Sequence, residues 1–137
     1  MSGGLRRVGL IGDIHGEDVL LERALEVLSR RDLDAILATG DIADGPGSVT
    51  RCCELLIQHR VITVRGNHER WFLRGSMRDL PDATAPQQVS AQAHAMLAAL
   101  PAEIEIATVA GLALLCHGLG PNDMAKVLPD DEGYWLD

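Results

Sequence analysis

Residues 8–28, Val-Gly-Leu-Ile-Gly-Asp-Ile-His-Gly-Glu-Asp-Val-Leu-Leu-Glu-Arg-Ala-Leu-Glu-Val-Leu, pass from one hydrophobic period to another. Val8-Gly9-Leu10-Ile11 is a short apolar run suited to a buried strand. A polar turn follows, and then Leu20, Leu21, Ala24, Leu25, Val27 and Leu28 recur at helical spacing. The same order returns twice. Ala35-Ile36-Leu37-Ala38 leads to Thr-Gly-Asp-Ile-Ala-Asp at 39–44 and to a helical pattern on Val49, Cys52, Leu55 and Leu56. Val61 to Val64 leads to Arg-Gly-Asn-His-Glu-Arg at 65–70, where the strand is expected to give way to a loop and a short segment through Leu73. Alternation of strand and helix predicts a largely parallel sheet with right-handed crossovers. Ligands of such sheets gather at the carboxyl ends of the strands, so the three polar turns are expected to converge.

Residues 75–86 read as a surface loop, with prolines, small and charged residues and no period. A helix is expected over Gln87 to Leu100. Glu103-Ile104-Glu105-Ile106 then alternates, Ala110-Gly111 supplies a turn, and Leu112 to Cys116 returns, which predicts a hairpin delivering His117 at a strand end. The sequence shows no internal repeat and no low-complexity tract.

The bulk properties narrow the function. With 137 residues, 47% hydrophobic and 23% charged, the chain is expected to form one globular domain, 1–137, with its own core. No signal-peptide pattern precedes the first strand, and a cytoplasmic location is the expectation. Three cysteines without metal-finger spacing fit reduced thiols. A net charge of −8 without a basic block argues against a general nucleic-acid surface, and no run is long enough to span a membrane.

At the four strand ends stand Asp13 and His15, Asp41, Asn67 and His68, and His117. Carboxylate, imidazole and amide oxygen form a donor set of intermediate hardness that suits manganese, iron, zinc or nickel. A bridging carboxylate can hold two such ions about 3.5–4 Å apart, where they polarise a phosphoryl oxygen and acidify a water. Singly, each residue has a plainer reading: Gly-Asp as a turn, His117 as a half-buried histidine, and His59 and His94 as helix-surface or packing residues.

Gly12-Asp-Ile-His-Gly16, Gly40-Asp-Ile-Ala-Asp44, Gly66-Asn-His-Glu69 and Cys116-His-Gly118 resemble the successive signature blocks of the calcineurin-like metallophosphoesterase superfamily. The likeness runs over about residues 8–118 and is nearest the branch of bacterial diadenosine-tetraphosphate hydrolases, serine/threonine phosphatases and small phosphodiesterases. It implies an α/β fold of the αββα sandwich type. It also implies a dinuclear centre of two divalent transition-metal ions, with Asp13 and His15 on the first, Asp41 bridging, and Asn67 and His117 on the second. His68 would be the proton donor to the leaving oxygen, oriented by Asp44.

Two departures stand out. The phosphatase pattern has an arginine directly after the second aspartate, whereas Asp44 precedes Gly45-Pro46. Arg65 and Arg70 are candidates by position for the phosphate clamp, each with a structural reading beside it. The last family block, Gly-His-any-His, does not follow His117. The fold is therefore expected to be C-terminally incomplete, with an unpaired sheet edge that favours a homodimer or strand-exchanged oligomer. Activity on a small phosphorylated substrate is expected to be weakened, and the alternative is a non-catalytic metal- or phosphate-binding module acting through a partner.

Overall fold

The structure is a computed structural model that describes residues 3–130. The first two residues of the expected 1–137 domain and its last seven lie outside the described residues. The elements run β1 (Val8–Ile11), α1 (Asp18–Ser29), β2 (Ala35–Ala38), α2 (Val49–Gln58), β3 (Ile62–Thr63), α3 (Asn67–Arg74), a 3-10 turn (Pro86–Gln88), α4 (Ala91–Ala99), β4 (Glu103–Thr108) and β5 (Gly111–Cys116). Strands β1, β2 and β3 form the expected parallel sheet in that order, with Ile11 opposite Ala38 and Ala38 opposite Thr63. Strands β4 and β5 form the expected antiparallel hairpin, with Ile104 opposite Leu115.

Strand β2 shows why the fold is layered. Ile36 and Ala38 point into one hydrophobic cluster and the alternate residues Ala35 and Leu37 into another, as the period of two requires. The first cluster collects Leu21 and Leu25 of α1, Cys52, Cys53, Leu55 and Leu56 of α2, Phe72 of α3 and Leu97 of α4. Full burial of a leucine such as Leu25, Leu55 or Leu97 contributes about 1.5–3 kcal/mol. The second cluster joins Leu37 and Val64 to Ile106 and Leu115 of the hairpin. Helices therefore cover one face of the parallel sheet, and the hairpin covers the other over β2 and β3, leaving Val8 and Leu10 of β1 exposed where the sequence suggested a buried strand. This is the α/β layering that the family resemblance implies, as far as the second sheet.

Leu5 bridges to Thr108, with its N–H donating to the Ala107 carbonyl at 2.9 Å, so the start of the chain lies along β4. The opposite edge of the hairpin belongs to β5, which pairs with β4 alone among the described residues. Leu112 on β5 is 76% exposed and Leu10 on β1 is 63% exposed. No helix among the described residues is long and apolar enough to cross a membrane.

Three boundaries differ from expectation. The helix expected from Gln87 starts at Ala91, because Ser90 is extended and its hydroxyl caps α4 by accepting from the Ala93 N–H at 3.1 Å. Only Ile62 and Thr63 of the run 61–64 join the sheet ladder. Helix α3 starts at Asn67 itself, after a link of three residues, Val64 to Gly66. Asn67 and His68 therefore stand in a first helical turn.

Candidate active site

The three parallel strands end at one edge, and their turns are tied to each other. The His15 N–H donates to the Asp41 carbonyl at 2.7 Å, and the Gly16 N–H to the Ile42 carbonyl at 2.8 Å. Asp13, His15, Asp41 and Asp44 all have positive φ, at 45°, 43°, 53° and 67°. Such a conformation costs a non-glycine residue of the order of 1–3 kcal/mol, with aspartate and histidine among its better tolerated occupants. Of these, the turn that begins at Asp41 is braced by Glu69.

Glu69 is fully buried. Its two oxygens accept the backbone N–H groups of Asp41 at 2.8 Å, Ile42 at 2.5 Å, Ala43 at 2.8 Å and Gly66 at 2.8 Å. Burial pushes its carboxyl above the ordinary range, against the pull of those N–H donors. Gly66 lies so close to Asp41 that a Cβ there would overlap the Asp41 carboxylate. The glycine of Arg-Gly-Asn-His-Glu is thus a packing requirement.

Asp41 stands at the centre. Its Oδ2 lies 3.6 Å from His15 Nε2 and 3.4 Å from His117 Nε2, and its Oδ1 accepts the His68 N–H at 3.1 Å. Asn67 Oδ1 is 3.0 Å from His117 Nε2. Donor atoms of Asp13, Asp41 and His117 lie within 4.8 Å of one another, as do those of His15, Asp41 and His68. The residues expected to hold metal are thereby brought together around Asp41. The closest groupings put Asp13 with His117 and place His68 beside His15.

The tautomers test whether this set fits a cation. His15 Nδ1 faces the carbonyls of Ala43 at 3.1 Å and Asp44 at 3.0 Å, and His117 Nδ1 faces the Thr39 carbonyl at 2.7 Å. Carbonyls only accept, so both Nδ1 atoms carry hydrogen and both Nε2 lone pairs point toward Asp41. At His117 that lone pair also meets the Asn67 oxygen. Apart from the His68 N–H on Asp41 Oδ1, these atoms are all acceptors, and such a ring calls for a positive charge between them, a proton or a metal ion; the set fits a metal. Without metal the Asp41 contact, against burial, raises His117 to about 9. Burial opposes ionisation of Asp41, yet His117 and the His68 N–H hold its carboxyl below the usual value.

His68 sits beside this cluster, 20% exposed, with its ring 4.7 Å from those of His15 and Trp71. Its Nδ1 is 2.9 Å from Asp44 Oδ2, the pairing expected of an oriented proton donor. Asp44 also binds two residues of the 75–86 loop. Arg78 donates to Oδ1 at 2.7 Å and to Oδ2 at 2.8 Å, and the Thr84 N–H donates to Oδ1 at 2.8 Å. Burial opposes ionisation of Asp44, and Arg78, Thr84 and His68 together outweigh it and lower its pKa.

Arg70 donates from both Nε and Nη2 to the two oxygens of Asp123, each at 2.8 Å. A phosphate would engage that fork only by displacing Asp123. The Nε of Arg65 is buried without a hydrogen-bond partner among the described residues. His59 and His94 lie away from the cluster, His59 near Ser29 and His94 against Phe72.

Sequence reasoning gave Glu69, Arg78 and Thr84 no role. Glu69 had a signal, the spacing from helix cap to third helical residue in Gly66-Asn-His-Glu69. Arg78 and Thr84 had none, since they reach Asp44 from 34 and 40 residues along the chain.

A model of the calcineurin-like phosphoesterase family matches residues 6–133. The chain belongs to that family. Among curated proteins it is 39% identical over 70 residues to serine/threonine-protein phosphatase 1 of Salmonella typhimurium, covering 50% of this chain and 32% of that one. Among solved structures it resembles a metallophosphoesterase from Sphaerobacter thermophilus, at 26% identity and a TM-score of 0.57, over 73% of this chain and 43% of the other. A candidate diadenosine tetraphosphatase matches at 29% identity and a TM-score of 0.57, over 73% and 45%. The chain thus spans a third to under half the length of these relatives. Calcineurin-like phosphoesterases use divalent metals, and the acceptor ring around Asp41 is where this member could hold them.

Proposed function

We propose that this chain is a metal-dependent phosphohydrolase domain acting on phosphomonoester, phosphodiester or nucleotide phosphoanhydride bonds of a small substrate. The observation that carries this reading is the ring of acceptor atoms around Asp41, with His68 poised beside it on Asp44. Asp13, His15 and Asp41 would hold one ion, and Asp41, Asn67 and His117 the other; manganese, iron, zinc and nickel all suit these donors. When bound, the ions supply charge that polarises a phosphoryl oxygen and acidifies water.

The chain's own part is to orient and to move a proton. Backbone carbonyls fix the rings of His15 and His117, Glu69 fixes the Asp41 turn, and Asp44 holds His68 Nδ1 so that Nε2 can protonate a leaving oxygen. An imidazole exchanges protons near neutral pH, and a carboxylate partner favours its charged, donating form. The likeness to a phosphatase and to a candidate diadenosine tetraphosphatase supports phosphoryl chemistry without choosing the substrate. The edge of β5, unpaired among the described residues, and exposed Leu112 support a further proposal that copies of the chain pair through this strand, which sedimentation over a concentration series tests.

The test is to strip the chain with chelator, reload it with Mn²⁺, measure bound metal, and assay an aryl phosphomonoester, an aryl phosphodiester and a nucleotide phosphoanhydride. Bound Mn²⁺ with metal-dependent turnover supports the reading. Metal bound at Asp41 without turnover on any phosphoester or phosphoanhydride leaves a binding module and refutes the hydrolase.

A further inference from the structure

Arg78 lies in the stretch 75–86, which has neither helix nor strand before Pro86, yet its guanidinium makes four hydrogen bonds where that of Arg70 makes two. Its Nε donates to the Ser76 carbonyl at 2.8 Å. One terminal nitrogen donates to Asp44 Oδ1 at 2.7 Å and to the Thr84 carbonyl at 3.2 Å, and the other to Asp44 Oδ2 at 2.8 Å. The guanidinium also stands 6.0 Å from the ring centre of Phe72, on the helix that carries Asn67 and His68. Four of its five N–H groups are therefore spent within the protein.

Asp44 is correspondingly saturated. Its carboxylate accepts from Arg78 twice, from the Thr84 N–H and from His68 Nδ1, and its own N–H donates to Thr84 Oγ1 at 2.8 Å. The bidentate arginine fork and the Thr84 amide fix the carboxylate plane. One oxygen is thereby aimed at His68.

We propose that Arg78 is a positioning residue for the phosphohydrolase reaction, locking the Asp44 carboxylate so that His68 keeps a single ring orientation and its Nε2 faces the reacting phosphoester. This rests on the reading of His68 as proton donor. It also accounts for Gly45. A side chain at that position would run into the His15 carbonyl, so an arginine directly after Asp44 has no room. The guanidinium beside Asp44 comes instead from a distant loop, and it is bonded to the carboxylate rather than offered to substrate. Folding of that loop over Asp44 and alignment of the proton donor are then one event.

Two measurements on the full chain test this. In metal-free protein with ¹⁵N-labelled histidine, at a pH where the imidazoles are neutral, long-range nitrogen–proton spectra report each tautomer, and a His68→Asn variant assigns the His68 signals. Wild type should show His68 with hydrogen fixed on Nδ1. Arg78→Ala should bring it to the mixture of a free imidazole, while His15, held by backbone carbonyls, stays unchanged. Arg78→Lys, which keeps the charge and loses the fork, should give the same loosening if Arg78→Ala does not fold. An unchanged His68 tautomer in the folded variant overturns the proposal.

In Mn²⁺-loaded protein, Arg78→Ala should lower kcat on an alkyl phosphodiester by about 10²-fold, the scale of a misplaced group. The loss should be much smaller on an activated aryl ester, with KM and inhibition by inorganic phosphate unchanged. Equal losses on both esters with raised KM and weaker phosphate inhibition would make Arg78 a substrate clamp and overturn its positioning role. If wild type turns over no phosphoester, the hydrolase reading fails on its own. The tautomer spectra then still decide whether Arg78 positions His68.

Discussion

The carboxylate of Glu69 holds the backbone N–H of Asp41 at 2.8 Å, and through that bond and three like it a buried charge braces the turn on which Asp41 takes a left-handed conformation. The relationship explains how strained residues persist at the strand ends. A carboxylate accepting four amides offsets part of the backbone cost, and it belongs to the helix turn that presents Asn67 and His68.

Glu69→Gln should therefore be severe for so small a change. An amide has one acceptor end, so its NH2 would oppose two of the backbone N–H groups. Each buried N–H left unpaired costs about 1–3 kcal/mol. Denaturant unfolding should show the loss, and metal affinity should fall with it. Stability and affinity within error of wild type would mean that the cradle does not support the site.

How much of this was legible in the sequence follows from distance along the chain. Asp13, His15, Asp41 and Asn67 could be placed because each directly follows a strand-like run in a parallel sheet, and His117 because the hairpin period ends on it. Local rules carry such positions. The start of α4 was misplaced because Ser90 caps a helix inside a run that reads as helical throughout, where only the local geometry at Ser90 marks the break. The Arg78–Asp44 fork was invisible because the intervening residues have no period and their fold is set by the contacts they make.

Asp41→Asn keeps the shape of the central residue while removing its charge. If Asp41 serves two ions, metal stoichiometry and any hydrolysis should fall together, measured by elemental analysis and by turnover. A metal-soaked crystal structure with ions on Asp13 and Asn67 and none on Asp41 would refute the bridging role.

Replacement of His68 by Asn should cost about 10²–10⁴-fold on a poor alkoxide leaving group, the usual scale for general acid catalysis. The cost should shrink for an activated aryl group, which leaves without a proton. Equal losses on both would indicate a ligand or packing role.

His117 gives a pH signature in the metal-free protein. Its Asp41 contact raises it from 6.5 to about 9. A raised histidine stabilises the fold fully below its unfolded value, and the contribution disappears as pH rises through the folded one. His117→Gln should thus destabilise the metal-free chain at pH 6 and much less near pH 10. A pH-independent difference in unfolding midpoint would exclude the charged pair. Metal must displace this proton, so affinity should rise with pH over the same window.

The metal affinity of these 137 residues should be modest. Counting Asp41 for both ions, each would have three protein ligands, Asp13, His15 and Asp41 or Asp41, Asn67 and His117. The histidine pair that the family pattern adds is not among the residues after His117. An ion with fewer protein donors leaves positions to water or buffer anions and binds less firmly. Calorimetric titration with Mn²⁺ should show weak binding, strengthened when a segment carrying Gly-His-any-His is appended, with turnover rising in parallel. If the unextended chain binds two ions tightly and turns over at roughly 1–10³ s⁻¹, the range of ordinary enzymes, then three ligands per ion suffice and the added histidines are dispensable.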